Sequence, residues 1–362
     1  MEKIKKKFKS KHSYFLSLAF EQAKNNLGST KSNPSVGCIV EKNESVISSG
    51  FTSFNGRPHA EYNALNKKLN FNNSNLYVTL EPCSHHGVTP PCTNLINKKK
   101  VKKVFFSIHD SDTRSKNKSK NILKSRNISV NSKILEKEGK DFYESYFLQH
   151  SDKLPLIDAK IAISKDYFTI NKKKRWITNL HSRKRAHVIR STYDCLISTS
   201  KSINHDNSIL NCRIEGLEKK CPDLVIIDRN LKLKKNLKLF NNMKYRKILL
   251  VTCKNDSKKI SFFKSRGLKI IKVGQLNLFK DYKNLFFKLK KKYSRILVEA
   301  GLNFTNFLIK NELIKNIYIF QSFYKLKNQG TNNSSPNIIK KIKLKNQISV
   351  NLFGDQIYKE KI

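Results

Sequence analysis

The sequence lacks any apolar run approaching the roughly 18 residues that a membrane-spanning helix requires, so no membrane partner is expected. It also lacks an even set of cysteines. There are seven, Cys38, Cys83, Cys92, Cys195, Cys212, Cys221 and Cys253, and nothing resembling a cleavable leader. The opening "MEKIKKKFKSKHSYFLSLAF" is basic, but its apolar run is short and no A-x-A-like site follows, so it reads as a first amphipathic helix. An odd cysteine count in that setting argues for a reducing compartment, the cytoplasm, and against a disulfide framework. No G-x-G-x-x-G and no internal repeat is present. Acidic residues are scarce: 27 Asp and Glu stand against 73 Lys and Arg, for a net charge of +46. A surplus gathered on one face would suit phosphates. Here the lysines are spread through "NKKKVKK", "LKLKKNLKLF" and "FFKLKKKY" with Asn, Ile and Phe throughout, which reads as compositional drift toward A- and T-rich codons. No nucleic-acid partner is expected.

A chain of 362 residues is long enough for two domains. In the first part the pattern gives helix 13–26, strands 36–41 and 45–51, helix 59–69, strand 75–80, helix 92–99, strand 102–107, then a helix and strand over 118–131. A polar stretch ending at Pro155 separates this from a second alternation: strand 156–163, helix 179–190, strands 194–198, 223–228 and 247–253, helix 257–266, strand 268–273, helix 280–290, strand 295–299, helix 303–312, and strands 315–322 and 347–353. Both parts are α/β, and the expected domains are 1–148 and 153–362.

What is present in concentrated form is "PHAEYNAL" followed by "TLEPCSHHGVTPPC". A catalytic zinc takes three protein ligands from residues such as His and Cys and needs a carboxylate nearby to move protons. His59, Cys83 and Cys92 fit the ligands and Glu61 the carboxylate. H-x-E followed by closely spaced P-C elements is the signature of zinc nucleobase deaminases. A structural zinc site, or unrelated buried thiols beside a helix start, is the bland alternative. The usual gap between the cysteines of nucleic-acid and free-nucleotide deaminases is two residues, whereas here "SHHGVTPP" intervenes.

With that insert, "NPSVGCIV", "PHAEYNAL" and "TLEPCSHHGVTPPCTNLI" resemble the bifunctional deaminase/reductase family of riboflavin biosynthesis, over nearly the whole chain. The resemblance implies a cytidine-deaminase-like three-layer α/β/α domain followed by a dihydrofolate-reductase-like α/β domain, in a homo-oligomer. It implies one zinc per chain and hydrolytic deamination of 2,5-diamino-6-(5-phosphoribosylamino)pyrimidin-4-one, a small-molecule phosphoribosyl-pyrimidine. NADPH then reduces the ribosyl group to ribityl. It also implies substrate contacts from Asn33 and from His85 in the insert, although His85 and His86 read equally well as a solvated loop.

In the second half the same resemblance rests on "AKIAISKD", "RWIT", "HVIRS", "DCLISTS", "IIDR" and "VEAG". It assigns Ile163, Trp176, Ser202, Asp206, Arg229 and the turn Gly301, Leu302, Asn303, Phe304, Thr305, Asn306, Phe307 to NADPH, and Lys174, Arg190, Leu210, Arg213 and Glu299 to the substrate. Trp176 has a second reading as a large core residue. Departures from the family pattern are Thr52 for a histidine, "DSDT" for "DPNP" with the following glycines lost, Tyr167 for a glycine, Asn207 for a carboxylate, and Lys174 for a small hydroxyl residue. They raise an alternative: an active deaminase with a degenerate, non-catalytic reductase domain.

Overall fold

The computed structural model describes residues 10–241 and 243–362. The basic stretch 1–9, part of the opening discussed above, lies outside the described residues. No helix among the described residues is long and apolar enough to cross a membrane, and all seven cysteines are free thiols. The chain divides after Lys153 into two compact units.

The first unit begins with α1 (Lys11–Lys24), whose N-cap Ser10 accepts a hydrogen bond from the Ser13 amide. Strands β1 (Gly37–Lys42) and β2 (Ser45–Phe51), helix α2 (Ala60–Leu65), β3 (Asn75–Leu80), α3 (Cys92–Lys98), β4 (Lys103–Ile108), α4 (Ser119–Lys124) and β5 (Ser129–Asn131) follow. The sheet order is β2-β1-β3-β4-β5. β1 runs antiparallel to β2 and β3, and β3, β4 and β5 run parallel to one another.

Two glycines set the layers. A Cβ on Gly37 would lie 1.9 Å from the Ala19 carbonyl oxygen of α1, and one on Gly50 would lie 2.4 Å from the Ala60 oxygen and 2.5 Å from the Ala64 nitrogen of α2. Gly50 pairs with Cys38, the neighbour of Gly37, and successive strand residues face opposite sides. The two helices therefore press on opposite faces of β1 and β2, giving the α/β/α sandwich. The chain leaves this unit through α5 (Glu136–Phe142) and α6 (Glu144–Gln149).

The second unit is built on an eight-stranded sheet. Its strands are β6 (Leu156–Ile163), β8 (Cys195–Thr199), β9 (Asp223–Ile227), β10 (Ile248–Thr252), β11 (Lys269–Lys272), β12 (Arg295–Val298), β13 (Asn316–Gln321) and β15 (Gln356–Lys361). Short β7 (Ile170–Asn171) and β14 (Gly330–Thr331) pair separately. The order is β11-β10-β9-β8-β12-β6-β13-β15, parallel except for the antiparallel β13–β15 edge. Alternate residues feed two cores. Ile157, Ile197, Val225, Val251, Val298 and Ile319 face one, while Leu196, Leu224, Leu250, Leu297 and Phe320 face the other. Helices α10 (Phe279–Lys290) and α11 (Leu302–Lys310) cover the first face. Helices α7 (Leu180–Arg190), α8 (Ser200–Asp206) and α9 (Ser257–Ser265) cover the second.

One sequence expectation is corrected. Residues 347–353 are not a strand: Gln347 forms an isolated bridge to Tyr358, the Ile348 amide donates to the Ile357 carbonyl at 2.9 Å, and Leu352 is buried in the core on that side of the sheet. The final strand is Gln356–Lys361, because it is this segment that pairs along β13. Helix α8 was not anticipated.

Because α2 lies directly on Gly50, Gly50→Ala is expected to destabilise the first unit by about 1–3 kcal/mol and to shift His59 and Glu61. Equilibrium unfolding and zinc stoichiometry of the purified variant check this.

Candidate functional site

In the first unit the chemistry gathers where α2 and α3 begin. His59 is the N-cap of α2, with Glu61 in its first turn, and Cys92 opens α3. Pro58 therefore lies just before the cap rather than in the first turn. The His59 Nδ1 atom is 3.6 Å from Cys83 Sγ and 3.5 Å from Cys92 Sγ. Ligand bonds of about 2.0–2.1 Å to nitrogen and 2.3 Å to sulfur at tetrahedral angles put such atoms about 3.5 Å apart. The three residues thus fit a zinc ion without rearrangement, and they are the one His/Cys/Asp/Glu group of this kind among the described residues.

Electrostatics agree with that fit. The hydrogen bond from the Cys92 thiol, together with His59 and the Cys92 amide at 3.2 Å, holds the Cys83 thiol down at about 4. The hydrogen bond to Cys83 and burial push Cys92 well up, so without a metal the two sulfurs share one negative charge. Burial, followed by the charge of Cys83, pushes Glu61 up to about 7. A divalent cation in the triangle acts against the upward push on Cys92 and Glu61 and in the same direction as the lowering of Cys83, drawing protons off.

The segment carrying Cys83 is braced from below. The side chain of Glu81 is fully buried and accepts from the Asp110, Asn117 and Ser119 amides, the Ser119 hydroxyl and His109 Nδ1, at 2.8–3.2 Å. That network pins loop 109–119 under the insert. Ser115 in the loop reaches back to the Ser84 amide (3.2 Å) and to His85 Nδ1 (2.7 Å). His85 is half-buried and held, whereas His86 is exposed. Asn33 donates through Nδ2 to the Gly56 carbonyl at 2.8 Å, which leaves Oδ1 as an acceptor. Thr52 is buried and closes on Val36, its hydroxyl accepting from the Val36 amide at 2.9 Å. It therefore secures the segment after Asn33 and does not face the site.

In the second unit the assigned residues fall around the carboxyl ends of β8 and β12, where ligands of parallel sheets usually bind. The Gly301 amide donates to Ser202 Oγ at 3.0 Å, joining the turn after β12 to the start of α8. A Cβ on Gly301 would lie 3.2 Å from Asn333 Nδ2 and 3.5 Å from Ser202 Oγ, so the absent side chain leaves a cradle open for a cofactor. Asn303 is exposed beside it, Asp206 offers an exposed carboxylate, and Arg229 donates to Asn277 Oδ1 at 2.6 Å. Phe304 and Phe307 pack on Tyr282.

Several of the assigned residues present little side-chain surface. Ile163, Leu302 and Thr305 are packed into the interior with at most 1% of their surface exposed, and the Asn306 amide donates to Ser334 and Pro336. They shape the wall from behind. Trp176 is not core: it is half exposed, between the guanidinium groups of Arg175 (4.7 Å) and Arg183 (4.9 Å). Leu210 is buried with φ +56°, and its carbonyl is held by Arg246.

Arg190 and Glu299 meet each other in a buried, two-pronged ion pair, Nε to Oε1 at 2.5 Å and Nη2 to Oε2 at 2.9 Å. Arg190 Nη1 also donates to the Asn211 carbonyl at 3.0 Å, so Arg190 has no free fork for a phosphate. Lys174 and Arg213 remain exposed, and Arg213 binds Asn211 Oδ1 at 2.7 Å. Partial burial and the nearby charges of Arg190 and Arg175 depress Arg213, so three guanidinium groups lie close enough to act on one another.

The sequence reading missed Lys160, whose Nζ is 3.7 Å from Glu299 Oε2. Its signal was a lysine inside the otherwise apolar run "LIDAKIAI". Burial lowers Lys160 and Glu299 raises it. His187 was missed too; burial and then Arg190 push it down to about 4, so it is neutral near pH 7. At the two departures, the backbone keeps the turn geometry: Tyr167 adopts φ +68° without a glycine, and Asn207 ends α8 at φ +44° while its Oδ1 accepts from the Lys238 amide.

Residues 9–108 match the cytidine and deoxycytidylate deaminase zinc-binding region, and residues 155–322 match the RibD C-terminal domain. The riboflavin biosynthesis protein RibD of Aquifex aeolicus is 29% identical over 310 residues, covering 84% of this chain and 85% of that protein. The RibD of Bacillus amyloliquefaciens is 32% identical over 221 residues, 60% of this chain and 59% of that one. Among solved structures, Acinetobacter baumannii RibD superposes with a TM-score of 0.78 at 25% identity, covering 96% of this chain and 98% of its own. The Thermotoga maritima diaminohydroxyphosphoribosylaminopyrimidine deaminase/5-amino-6-(5-phosphoribosylamino)uracil reductase, at 24% identity, shares the fold with a TM-score of 0.80 over 97% of this chain and 98% of its own.

The Arg190–Glu299 pair carries a stability consequence. Burial alone would raise Glu299, but Arg190 and Lys160 outweigh it and hold the carboxyl at about 2, below its ordinary 4.5. The pair's stabilisation is therefore complete above about pH 4.5 and is lost as pH falls toward 2. Glu299→Gln leaves Arg190 buried without a counter-charge and is expected to destabilise the second unit by about 3–5 kcal/mol. Urea unfolding at pH 7 should show it, with the gap between variant and parent narrowing in acid.

Proposed function

The chain belongs to the bifunctional deaminase/reductase family of riboflavin biosynthesis, and from that premise we propose which of its residues carry each step. It is a zinc-dependent deaminase and an NADPH-dependent reductase. It converts 2,5-diamino-6-(5-phosphoribosylamino)pyrimidin-4-one to 5-amino-6-(5-phosphoribitylamino)uracil. The observation that carries the reading is the His59, Cys83 and Cys92 triangle with buried Glu61 beside it. The deaminase is assigned to 1–148 and the reductase to 153–362, in a cytoplasmic homo-oligomer with neither a nucleic-acid nor a membrane partner.

For the first step, His59, Cys83 and Cys92 would hold the zinc, which when bound would supply the Lewis acidity that makes water nucleophilic near neutral pH. The Glu61 carboxylate takes a proton from the attacking water and returns it to the amino nitrogen, which leaves as ammonia. A raised carboxyl is suited to both transfers, because it is close to the ambient pH. Asn33 and His85 hold the pyrimidine and its substituent.

For the second step NADPH supplies the hydride. Ser202, Gly301, Asn303, Asp206 and Arg229 line its berth, with Trp176 between two arginines at the edge. Lys174 and Arg213 meet the anionic substrate, and the Arg190–Glu299–Lys160 cluster fixes the floor. Nothing favours the degenerate-reductase alternative. Tyr167 keeps at φ +68° the turn that a glycine would supply, and Asn207 ends α8 at φ +44°.

Glu61→Gln is expected to lower ammonia release by about 10²–10⁴-fold, while NADPH oxidation continues when the already deaminated compound is supplied. Following the two signals separately on purified protein checks this; NADPH oxidation failing with that compound in the unaltered chain overturns the second half. Chelation is expected to stop ammonia release before the first unit unfolds, with zinc restoring it.

A further inference from the structure

We propose that Arg57 and His85, on either side of Gly87, bind the phosphate of the deaminase substrate. The inference rests on the deaminase reading above and adds to it Arg57, a specificity determinant that the motifs do not contain.

Arg57 comes two residues before His59, and its side chain reaches the insert between the cysteines, where Nη1 donates to Thr89 Oγ1 at 2.8 Å. Its Nη2 lies 3.7 Å from the point that a Cβ on Gly87 would occupy, and His85 Nε2 lies 3.8 Å from that same point. A side chain at this position would come into contact with both nitrogens, which glycine leaves accessible.

The ring of His85 is held in place. The Ser115 hydroxyl oxygen is buried, accepts from the Ser84 amide at 3.2 Å and hydrogen-bonds His85 Nδ1 at 2.7 Å. That bond orients the ring with Nε2 beside Gly87, near the Arg57 guanidinium, whose fork matches phosphate oxygens.

The charge is also uncompensated. Arg57 has no carboxylate partner among the described residues, whereas Arg114 is tied to Asp112 through three contacts of 2.5–3.1 Å. Thr89 orients Arg57 without neutralising it. Since the insert carries both Gly87 and Thr89 and is anchored at Cys83 and Cys92, the place beside Gly87 keeps a fixed relation to the reacting end of the site.

The test measures deamination of the phosphorylated substrate and of its dephosphorylated ribosylamino counterpart, by the full-length zinc-loaded protein and by Arg57→Gln, Arg57→Lys and Gly87→Val. The parent should favour the phosphorylated compound. In Arg57→Gln the ratio of the two kcat/KM values should fall roughly 10- to 100-fold, the range for one charge-assisted contact. The loss should lie in KM, Arg57→Lys should recover part of it, and Gly87→Val should lower the ratio as well. Zinc content reports whether each variant keeps its site. Equal losses on both compounds, or an unchanged ratio, overturn the phosphate site while leaving the deaminase intact. If the parent deaminates neither compound, the deaminase reading falls and this site falls with it.

Discussion

A carboxylate withdrawn from water is tolerated only when donors surround it, and both halves of this protein are arranged around that requirement. In the first unit Glu81 draws four backbone or hydroxyl donors and one histidine onto itself, all from residues 109–119. The loop is thereby pinned under the segment that carries Cys83 and His85. In the second, Glu299 gathers Arg190 from α7 and Lys160 from β6 at the end of β12. Neither carboxylate needs to touch a reacting atom to matter. Each fixes the relative position of segments that are far apart in sequence, and this is the kind of preorganisation that a reacting site requires.

The zinc site was legible in the sequence for a geometric reason. The proposed ligands sit at the cap of a helix, in the loop just after a strand and at the start of the next helix, so local connections bring them together and leave a compact pattern. The reductase site has no such economy. Lys160, Arg175, Arg190, Asn211, Arg213 and Glu299 come from five segments, and only their three-dimensional sum is meaningful. A resemblance could name positions there, but it could not say that Arg190 would be fully engaged by Glu299 or that Thr305 would be buried. The last strand illustrates the same limit. Residues 347–353 alternate as a strand should, yet the charged "QIYKEK" takes the place beside β13, where Ile357 is buried and Glu360 accepts the Lys345 and Asn346 amides. Strand identity here follows the available partner more than propensity.

The departures from the family pattern divide by the same logic. Where glycines were expected after "DSDT", Asn117 adopts φ +61° and Ser119 gives Glu81 both an amide and a hydroxyl. Asparagine tolerates the left-handed region better than most residues, so the loop survives with its shape. Tyr167 is harder to accommodate at φ +68°, and a bulky residue there costs on the order of 1 kcal/mol. The surrounding bonds offset it: the Tyr167 carbonyl accepts from Asn337 at 2.8 Å, and its amide donates to Ser164.

The charge of the chain follows from where drift is tolerated. Nine Asp or Glu are buried among the described residues, from a total of 27, whereas three Lys or Arg are buried from a total of 73, all of them arginines. The surplus of +46 is thus a property of the surface, where exchanging an acid for a lysine changes stability little. Each interior acid whose bonds can be followed has donors that no lysine could satisfy: Glu41 holds Asn75 and the Glu44 amide, Asp228 holds Ser200 and two amides, Asp355 holds Asn179, Ser182 and Phe323. Selection for folding protects those positions from compositional drift, and Glu61 survives among them with no comparable network of donors. A buried carboxyl raised toward neutrality is a liability to the fold, and the proton transfer proposed for Glu61 would account for its presence there.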